Sequence, residues 1–389
     1  MKLSTLTQQI QPSLTLSITA KAKEMKKQGV DVISFAAGEP DFDTLSNVKN
    51  AAKKAIDEGF TKYTPTSGIP ELKQAIINKV RKDHYLKYRP TEVLVSNGAK
   101  QALFNIIMAL IDKDDEVLIP VPYWVSYKEM IKIAGGKVVF VKSKTFKVSG
   151  DLLEKYLSPK TKMLILNSPN NPTGIVYEEK DLKDIAKFCL KHNIIVLSDE
   201  IYEGITYEKT QHSIAEVNEK IKNLTIIING VSKTYAMTGW RIGYALGSEE
   251  VIKAATRIQD HTTSNPCSIS QKAALEALTG LQDHLPKLVN EYKKRRDFML
   301  KKLGEIKNIF PIKPEGAFYV FVNVSKLYNQ KVNHSMTFCE KLLEEAKIAC
   351  IPGIAFGDDN YIRLSFATNM INIDRGLTRL KNFCQTLLV

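Results

Sequence analysis

Lys233 lies in Ser232-Lys233-Thr234, just past an apolar run, and Arg241 follows eight residues later in Thr238-Gly239-Trp240-Arg241-Ile242-Gly243. Packing has no use for a lysine at that position. A P-loop is excluded, because its glycines would have to stand where Ser232 and Ile227 are. An amine that can form an imine, with a guanidinium for a phosphate on the same loop, matches the needs of pyridoxal phosphate. A solvent-facing loop lysine is the rival reading.

Other residues fall at comparable places. Asp199 closes a second apolar run, and a carboxylate there can keep a pyridine nitrogen protonated by stabilising its charged form. Its rival role is a helix N-cap. Tyr202, three residues on, shares a face with Asp199 in a short helical turn and can donate to a phenolate oxygen. Asn170-Asn171-Pro172-Thr173-Gly174 is a turn on any reading, and Asn171 adds an amide donor. Ser96-Asn97-Gly98-Ala99-Lys100 precedes a helical pattern, so its backbone N–H groups can approach a phosphate. Trp124, one of two tryptophans, can stack on a planar ring or simply fill the core. Arg363 sits inside an apolar run, where a guanidinium needs either a substrate carboxylate or a structural acid.

These residues require a scaffold that brings the ends of several strands together. Short apolar runs at 92–96, 116–120, 137–141, 163–167, 194–198, 225–228 and 242–246 lack clean alternation, as strands buried on both faces do. Helical stretches such as 101–111, 127–133 and 179–192 fall between most of them. The pattern predicts an α/β fold with a mostly parallel central sheet, whose ligands bind beyond the carboxyl ends of its strands. After about residue 285 the rhythm changes to a charged helix (285–303), a strand (316–322), a helix (335–346) and a final strand–helix pair. The expected division is a large unit over 46–284 and a smaller α/β unit made from 1–45 and 285–389.

The 389 residues are 44% hydrophobic and 25% charged, an ordinary globular composition. The net charge of +13 is dispersed. Its densest piece, Tyr292-Lys293-Lys294-Arg295-Arg296, reads as a solvated helix face, so anionic small molecules are expected and nucleic acid is not. Five widely spaced cysteines without a C-x-x-C pair argue against a disulfide framework or zinc site, and no metal is expected. No apolar run spans a bilayer. A cytoplasmic protein without a membrane partner is the expectation.

Taken together, Ser168–Gly174, Ser198-Asp199-Glu200-Ile201-Tyr202, Ser232-Lys233-Thr234, Gly239-Trp240-Arg241-Ile242-Gly243 and Arg363-Leu364-Ser365 resemble the motifs of the aspartate aminotransferase family in family order. The resemblance covers nearly the whole chain and implies fold type I of the pyridoxal-phosphate enzymes. It implies Lys233 as the imine lysine and proton shuttle. Asp199 would face the ring nitrogen, Tyr202 and Asn171 the phenolate oxygen, and Trp124 the ring and the substrate beside it. Arg241, Gly98, Ala99 and Lys100 would surround the phosphate, with Tyr63 of a neighbouring subunit, so a homodimer is implied. Arg363, Gly38 and Asn171 would grip the substrate α-carboxylate.

Gly38-Glu39-Pro40-Asp41-Phe42, Tyr63-Thr64-Pro65 and Gly68–Leu72 are similar to the Ib subgroup. The Ia subgroup uses a partner's arginine for the distal carboxylate, but roughly that stretch here reads Asp260-His261-Thr262-Thr263-Ser264. Lys100 is the expected substitute, supported by Ser13 or Thr15. The implied reaction moves the amino group of aspartate, or a similar acidic amino acid, to 2-oxoglutarate. Prephenate or aromatic substrates stay open, as do a lyase on the same scaffold and a cofactor-binding regulator. Regulators of that kind carry an added N-terminal DNA-binding domain, whereas the pattern here begins by residue 30.

Overall fold

The computed structural model describes residues 1–388. Thirteen strands occur among them: β1 (Ile33–Ser34), β2 (Val93–Ser96), β3 (Glu116–Val121), β4 (Lys137–Lys142), β5 (Thr161–Asn167), β6 (Ile195–Asp199), β7 (Thr225–Gly230), β8 (Gly243–Leu246), β9 (Phe310–Pro311), β10 (Tyr319–Asn323), β11 (Ile348–Ala349), β12 (Ile351–Pro352) and β13 (Tyr361–Ser365). Strands β2 to β8 form one sheet in the order β2-β8-β7-β6-β5-β3-β4.

From β4 to β7 every pairing in that sheet is parallel. Parallel neighbours need crossovers, and those here carry helices such as Ser126–Ile133 and Glu179–His192. Successive residues point to opposite faces and both faces are covered. Leu118, Leu164 and Val196 pack with Leu182, Ile185 and Phe188, whereas Val117, Ile165 and Leu197 pack with Leu103, Ile106 and Tyr127. Burial on both sides is why the runs do not alternate.

β8 alone runs antiparallel, to β7 on one side and β2 on the other. The twelve residues between β7 and β8 hold only a single 3₁₀ turn, Thr238–Trp240, and no crossover helix. The chain therefore doubles back, and this return loop carries both Lys233 and Arg241. Strands β3, β5, β6 and β7 are parallel, so the loops after them open on one side of the sheet, and strand order reverses where β5 lies beside β3.

A smaller antiparallel sheet, β12-β13-β10-β9, follows, while β1 pairs in parallel with β11. The predicted strand at 316–322 begins later, at Tyr319. Residues before it take part in loop contacts, with Ala317 in the left-handed region at φ 55°. Helix Leu14–Lys27 lays Ile18, Ala22 and Met25 against Phe321, Ile351 and Phe356, so the first residues of the chain pack onto its last third.

The expectation of a solvated face at 292–296 is corrected. Helix His284–Gly304 buries Tyr292, Arg295 and Arg296. Arg295 pairs with Asp41 and Glu291, and Arg296 with Glu208 and Asp297. Asp41 and Glu208 are supplied by distant sequence, which a local charge pattern cannot register. No helix among the described residues is long and apolar enough to cross a membrane.

Candidate active site

A cavity of about 380 Å³ opens where the strand ends converge, between the two sheets. Gly38, Ala99, Lys100, Trp124, Asn171, Asp199, Tyr202, Lys233, Arg241, Arg363 and Thr15 all line it. Ser13 lines a neighbouring cavity instead, and its hydroxyl reaches Thr15 Oγ1 at 2.9 Å. Tyr63 lines neither, and its side chain is 92% exposed.

Lys233 Nζ donates to Gly38 O at 2.6 Å and lies 5.8 Å from the Tyr202 ring centroid. Burial lowers its pKa to about 8; Arg363 and Arg241 add to this and Glu39 opposes it. A lysine in this setting keeps an appreciable fraction of free amine near neutrality, as imine chemistry requires. Asp199 is fully buried at the end of β6. Its Oδ2 accepts from Tyr127 Oη at 2.5 Å and its Oδ1 from Ile201 N at 3.2 Å. Burial nevertheless raises its pKa to about 6, against those hydrogen bonds and Lys233. The carboxylate thus caps a turn and also faces the cavity, and among the described residues it has no cationic hydrogen-bond partner.

Arg363 settles a question the sequence left open. It is buried and forms no ion pair with an acid among the described residues. Nη1 donates to Asn171 Oδ1 at 3.0 Å and Nη2 to Ala36 O at 2.9 Å, while Nε has no partner. The Tyr319 and Phe356 rings lie beneath the guanidinium, at 4.3 and 5.1 Å. A buried cation that only neutral groups hold strongly favours an anion entering the cavity.

Helix Ala99–Leu110 begins at the cavity wall. Gly98 N donates to Ser96 O at 2.7 Å. The N–H groups of Ala99 and Lys100 have no protein acceptor among the described residues. Gly98 supplies room instead: at φ +84°, a Cβ would stand 2.5 Å from Arg241 Nη2. Arg241, itself left-handed at φ 57°, donates to Thr238 O and Asn97 O, which aims its guanidinium at the helix start. Two free N–H groups, a helix dipole and a guanidinium form an anion cradle.

Trp124 meets Tyr127 edge to face at 5.3 Å, and Lys100 Nζ stands 5.0 Å over the indole. Burial and Arg241 lower the Lys100 pKa. Sequence reasoning missed Tyr127, Asn167 and Tyr319. Tyr319 Oη bonds Tyr202 Oη at 2.7 Å, and Asn167 Oδ1 accepts from Asn171 N at 2.9 Å. Tyr127 stands three residues after Trp124, a helical spacing that could have exposed it. Tyr319 lies in a plainly apolar run and carried no such signal.

Behind Asp199, on the far side of β6, Glu200, Glu203 and His84 bring three ligand-type atoms within 4.8 Å. Cations of the protein already fill this cluster. Lys79 pairs with Glu203, and His84 bridges Glu203 and Glu216.

Residues 30–380 match the family model described as aminotransferase class I and II. A probable aspartate/prephenate aminotransferase of Rickettsia bellii is 47% identical, over 99% of both chains. The aspartate aminotransferase of Bacillus subtilis is 44% identical, also over 99% of both. Among solved structures, the aspartate aminotransferase of Thermus thermophilus with maleate superposes with a TM-score of 0.94 at 41% identity, covering 98% of this chain and 99% of that one. The Rhizobium meliloti aspartate aminotransferase gives 0.95 at 40%, with 99% of each chain covered.

Proposed function

The chain belongs to the class I and II aminotransferases, and from that premise we propose that it moves the amino group of aspartate, or a similar small acidic amino acid, to 2-oxoglutarate with pyridoxal 5′-phosphate as cofactor. The observation that carries the substrate class is Arg363, a buried guanidinium facing the same cavity as Lys233 with no acid paired to it among the described residues.

The cavity fits the cofactor. Asp199 is buried and has room for a protonated ring nitrogen. The cradle of Arg241, Ala99 N and Lys100 N suits a phosphate, and Lys233 suits a carbonyl carbon. Pyridoxal 5′-phosphate, when bound, supplies an aldehyde for amine exchange and a ring that spreads the electron pair left when the α-proton departs. Asp199 holds a proton on the ring nitrogen by its negative charge. Tyr202 Oη and Asn171 Nδ2 would donate to the phenolate oxygen, Asn171 Oδ1 being turned to Arg363. Arg363 fixes the α-carboxylate, so the Cα–H bond stands near Lys233 Nζ, which carries the α-proton. Trp124 would cover the ring, and Lys100 would receive the distal carboxylate, with Thr15 and Ser13 at the mouth.

The same proposal includes a homodimer in which Tyr63 reaches the partner's phosphate; its exposure supports this. It includes a reducing, cytoplasmic setting. It also divides the chain into a large unit over 46–284 and a smaller one from 1–45 with 285–389. The packing of helix Leu14–Lys27 onto the small sheet and the pairing of β1 with β11 support that division, and Val389 lies outside the described residues. A second reading, prephenate as acceptor, draws on the names of the Rickettsia relatives.

An amino-donor and oxo-acceptor panel tests the reading together with Lys233→Ala. Oxo acid should appear from aspartate in step with loss of 2-oxoglutarate, and Lys233→Ala should cut turnover by about 1,000-fold or more while the cofactor still binds. Ammonia released with no consumption of 2-oxoglutarate would indicate elimination. Normal turnover in the variant would overturn the assignment.

A further inference from the structure

The Tyr202 and Tyr319 hydroxyls meet at 2.7 Å in the cavity wall, and each is the other's only hydrogen-bond partner among the described residues. The proposed function, on which this inference rests, uses Tyr202 and gives Tyr319 no work.

The two rings come from different sheets. Tyr202 stands in the turn after β6 of the large sheet. Tyr319 opens β10 of the small sheet and lies opposite Ser365 of β13, with Arg363 two residues along on the same face. Diagonal neighbours across a strand pair are within reach of long and aromatic side chains, and the Arg363 guanidinium lies 4.3 Å from the Tyr319 ring centroid. Phe318 borders the same ring at 4.7 Å, and Tyr202 meets it edge to face at 5.8 Å. Tyr319 is fully buried among these groups, so its hydroxyl is held in one place.

A tyrosine hydroxyl carries one proton and can also accept one. If Tyr202 gives its proton to the cofactor's phenolate oxygen, that proton is committed, and the 2.7 Å bond must run from Tyr319 to Tyr202. The reverse direction would leave the phenolate oxygen with Asn171 alone. We infer that Tyr319 is a positioning residue that acts through Tyr202: its hydroxyl donates to Tyr202 Oη, turns the Tyr202 proton towards the phenolate oxygen and makes Tyr202 a stronger donor to it. Hydrogen bonds in such a chain polarise one another, by about 10–30% per bond. The cation over the Tyr319 ring works in the same direction. Burial raises the Tyr319 pKa and Arg363 opposes this, which favours sharing of its proton with Tyr202.

A pH titration of the cofactor's visible absorption in the loaded enzyme tests this without turnover, because the band reports the proton shared between the Lys233 nitrogen and the phenolate oxygen. Weaker donation to that oxygen leaves more negative charge beside the proton and moves the midpoint to higher pH. Tyr202→Phe should raise the midpoint by about one pH unit, the worth of a charge-assisted hydrogen bond. Tyr319→Phe keeps the buried ring and its contact with Arg363, and should raise it by about 0.2–0.3. Added to Tyr202→Phe, the same change should move it by less than about 0.1, since no hydroxyl remains to polarise. A wild-type midpoint in Tyr319→Phe, or an equal rise with and without the Tyr202 hydroxyl, overturns this inference alone. An unchanged midpoint in Tyr202→Phe removes Tyr202 from the phenolate oxygen and this inference with it. A band that survives Lys233→Ala overturns the proposed function itself, and Tyr319 then has no such role.

Discussion

At Asp199, burial opposes the negative charge that the ring nitrogen needs, and two hydrogen bonds work the other way. Tyr127 makes the shorter of them, at 2.5 Å. Replacing Tyr127 by Phe keeps the buried ring but removes the donor, so the carboxyl pKa should rise above its present value of about 6. We expect Tyr127→Phe to lower kcat about tenfold with KM for aspartate within twofold, and to move the acid limb of the kcat profile to higher pH. A rate–pH profile identical to wild type would show that the hydrogen bond only packs the ring. Lys233, Asp199, Arg241 and Arg363 were legible in the sequence because each breaks a local rule, a charge set at the edge of an apolar run or inside it. Tyr127 and Tyr319 break none, since tyrosine belongs in both cores and sites, and only their hydrogen bonds reveal them. The backbone donors at Ala99 and Lys100 were legible as a small-residue turn ahead of a helical pattern, whereas which of them is spare depends on the turn's detailed geometry.

The elements around the site are braced from behind. Helix Pro70–His84 ends on His84, whose ring bridges Glu203 in the turn after β6 and Glu216 beyond it. Burial disfavours the imidazolium, yet hydrogen bonds to these two carboxylates outweigh it and raise the pKa to about 10. The unfolded chain loses this proton near pH 6.5, whereas the folded chain keeps it to about 10. The stabilisation is therefore complete below pH 6.5 and is lost as pH rises through 10. His84→Gln should cost about 3 kcal/mol at pH 7, and the difference in melting temperature from wild type should shrink steadily between pH 7 and pH 10. A difference independent of pH would exclude the imidazolium as its source. Lys233 also titrates in this range, but it is common to both proteins and cancels in the comparison. None of this brace was legible in the sequence, because its members are more than 100 residues apart. The strand–helix alternation of the large sheet was legible, because two-sided burial writes itself into local composition.

On the scale of the whole molecule, Tyr63 stands at 92% exposure, and Ile56 and Leu281 are likewise uncovered. The last two end or follow helices Ser46–Asp57 and Ser268–Thr279, which pack on each other. We expect the protein to elute and sediment at twice its chain mass, and Tyr63→Phe to weaken cofactor binding several-fold without changing that mass. A monomer with full cofactor affinity would remove Tyr63 from the site. The net charge of +13 fits this picture as a general attraction for acids, although the buried Arg295 and Arg296 show that part of it is spent internally.

The pairing of β1 with β11 also constrains how the chain is made. Ile33 lies opposite Ile348, so the first strand emerges from the ribosome long before its partner exists. At roughly 5–20 residues per second the interval is about 15–60 s. During that time the strand and the helix bearing Thr15 lack the surface they pack on, while the seven-stranded sheet can already close. The substrate mouth is therefore the last part of the enzyme to be built, and a nascent chain stalled before residue 348 would hold a cofactor cradle with no lid.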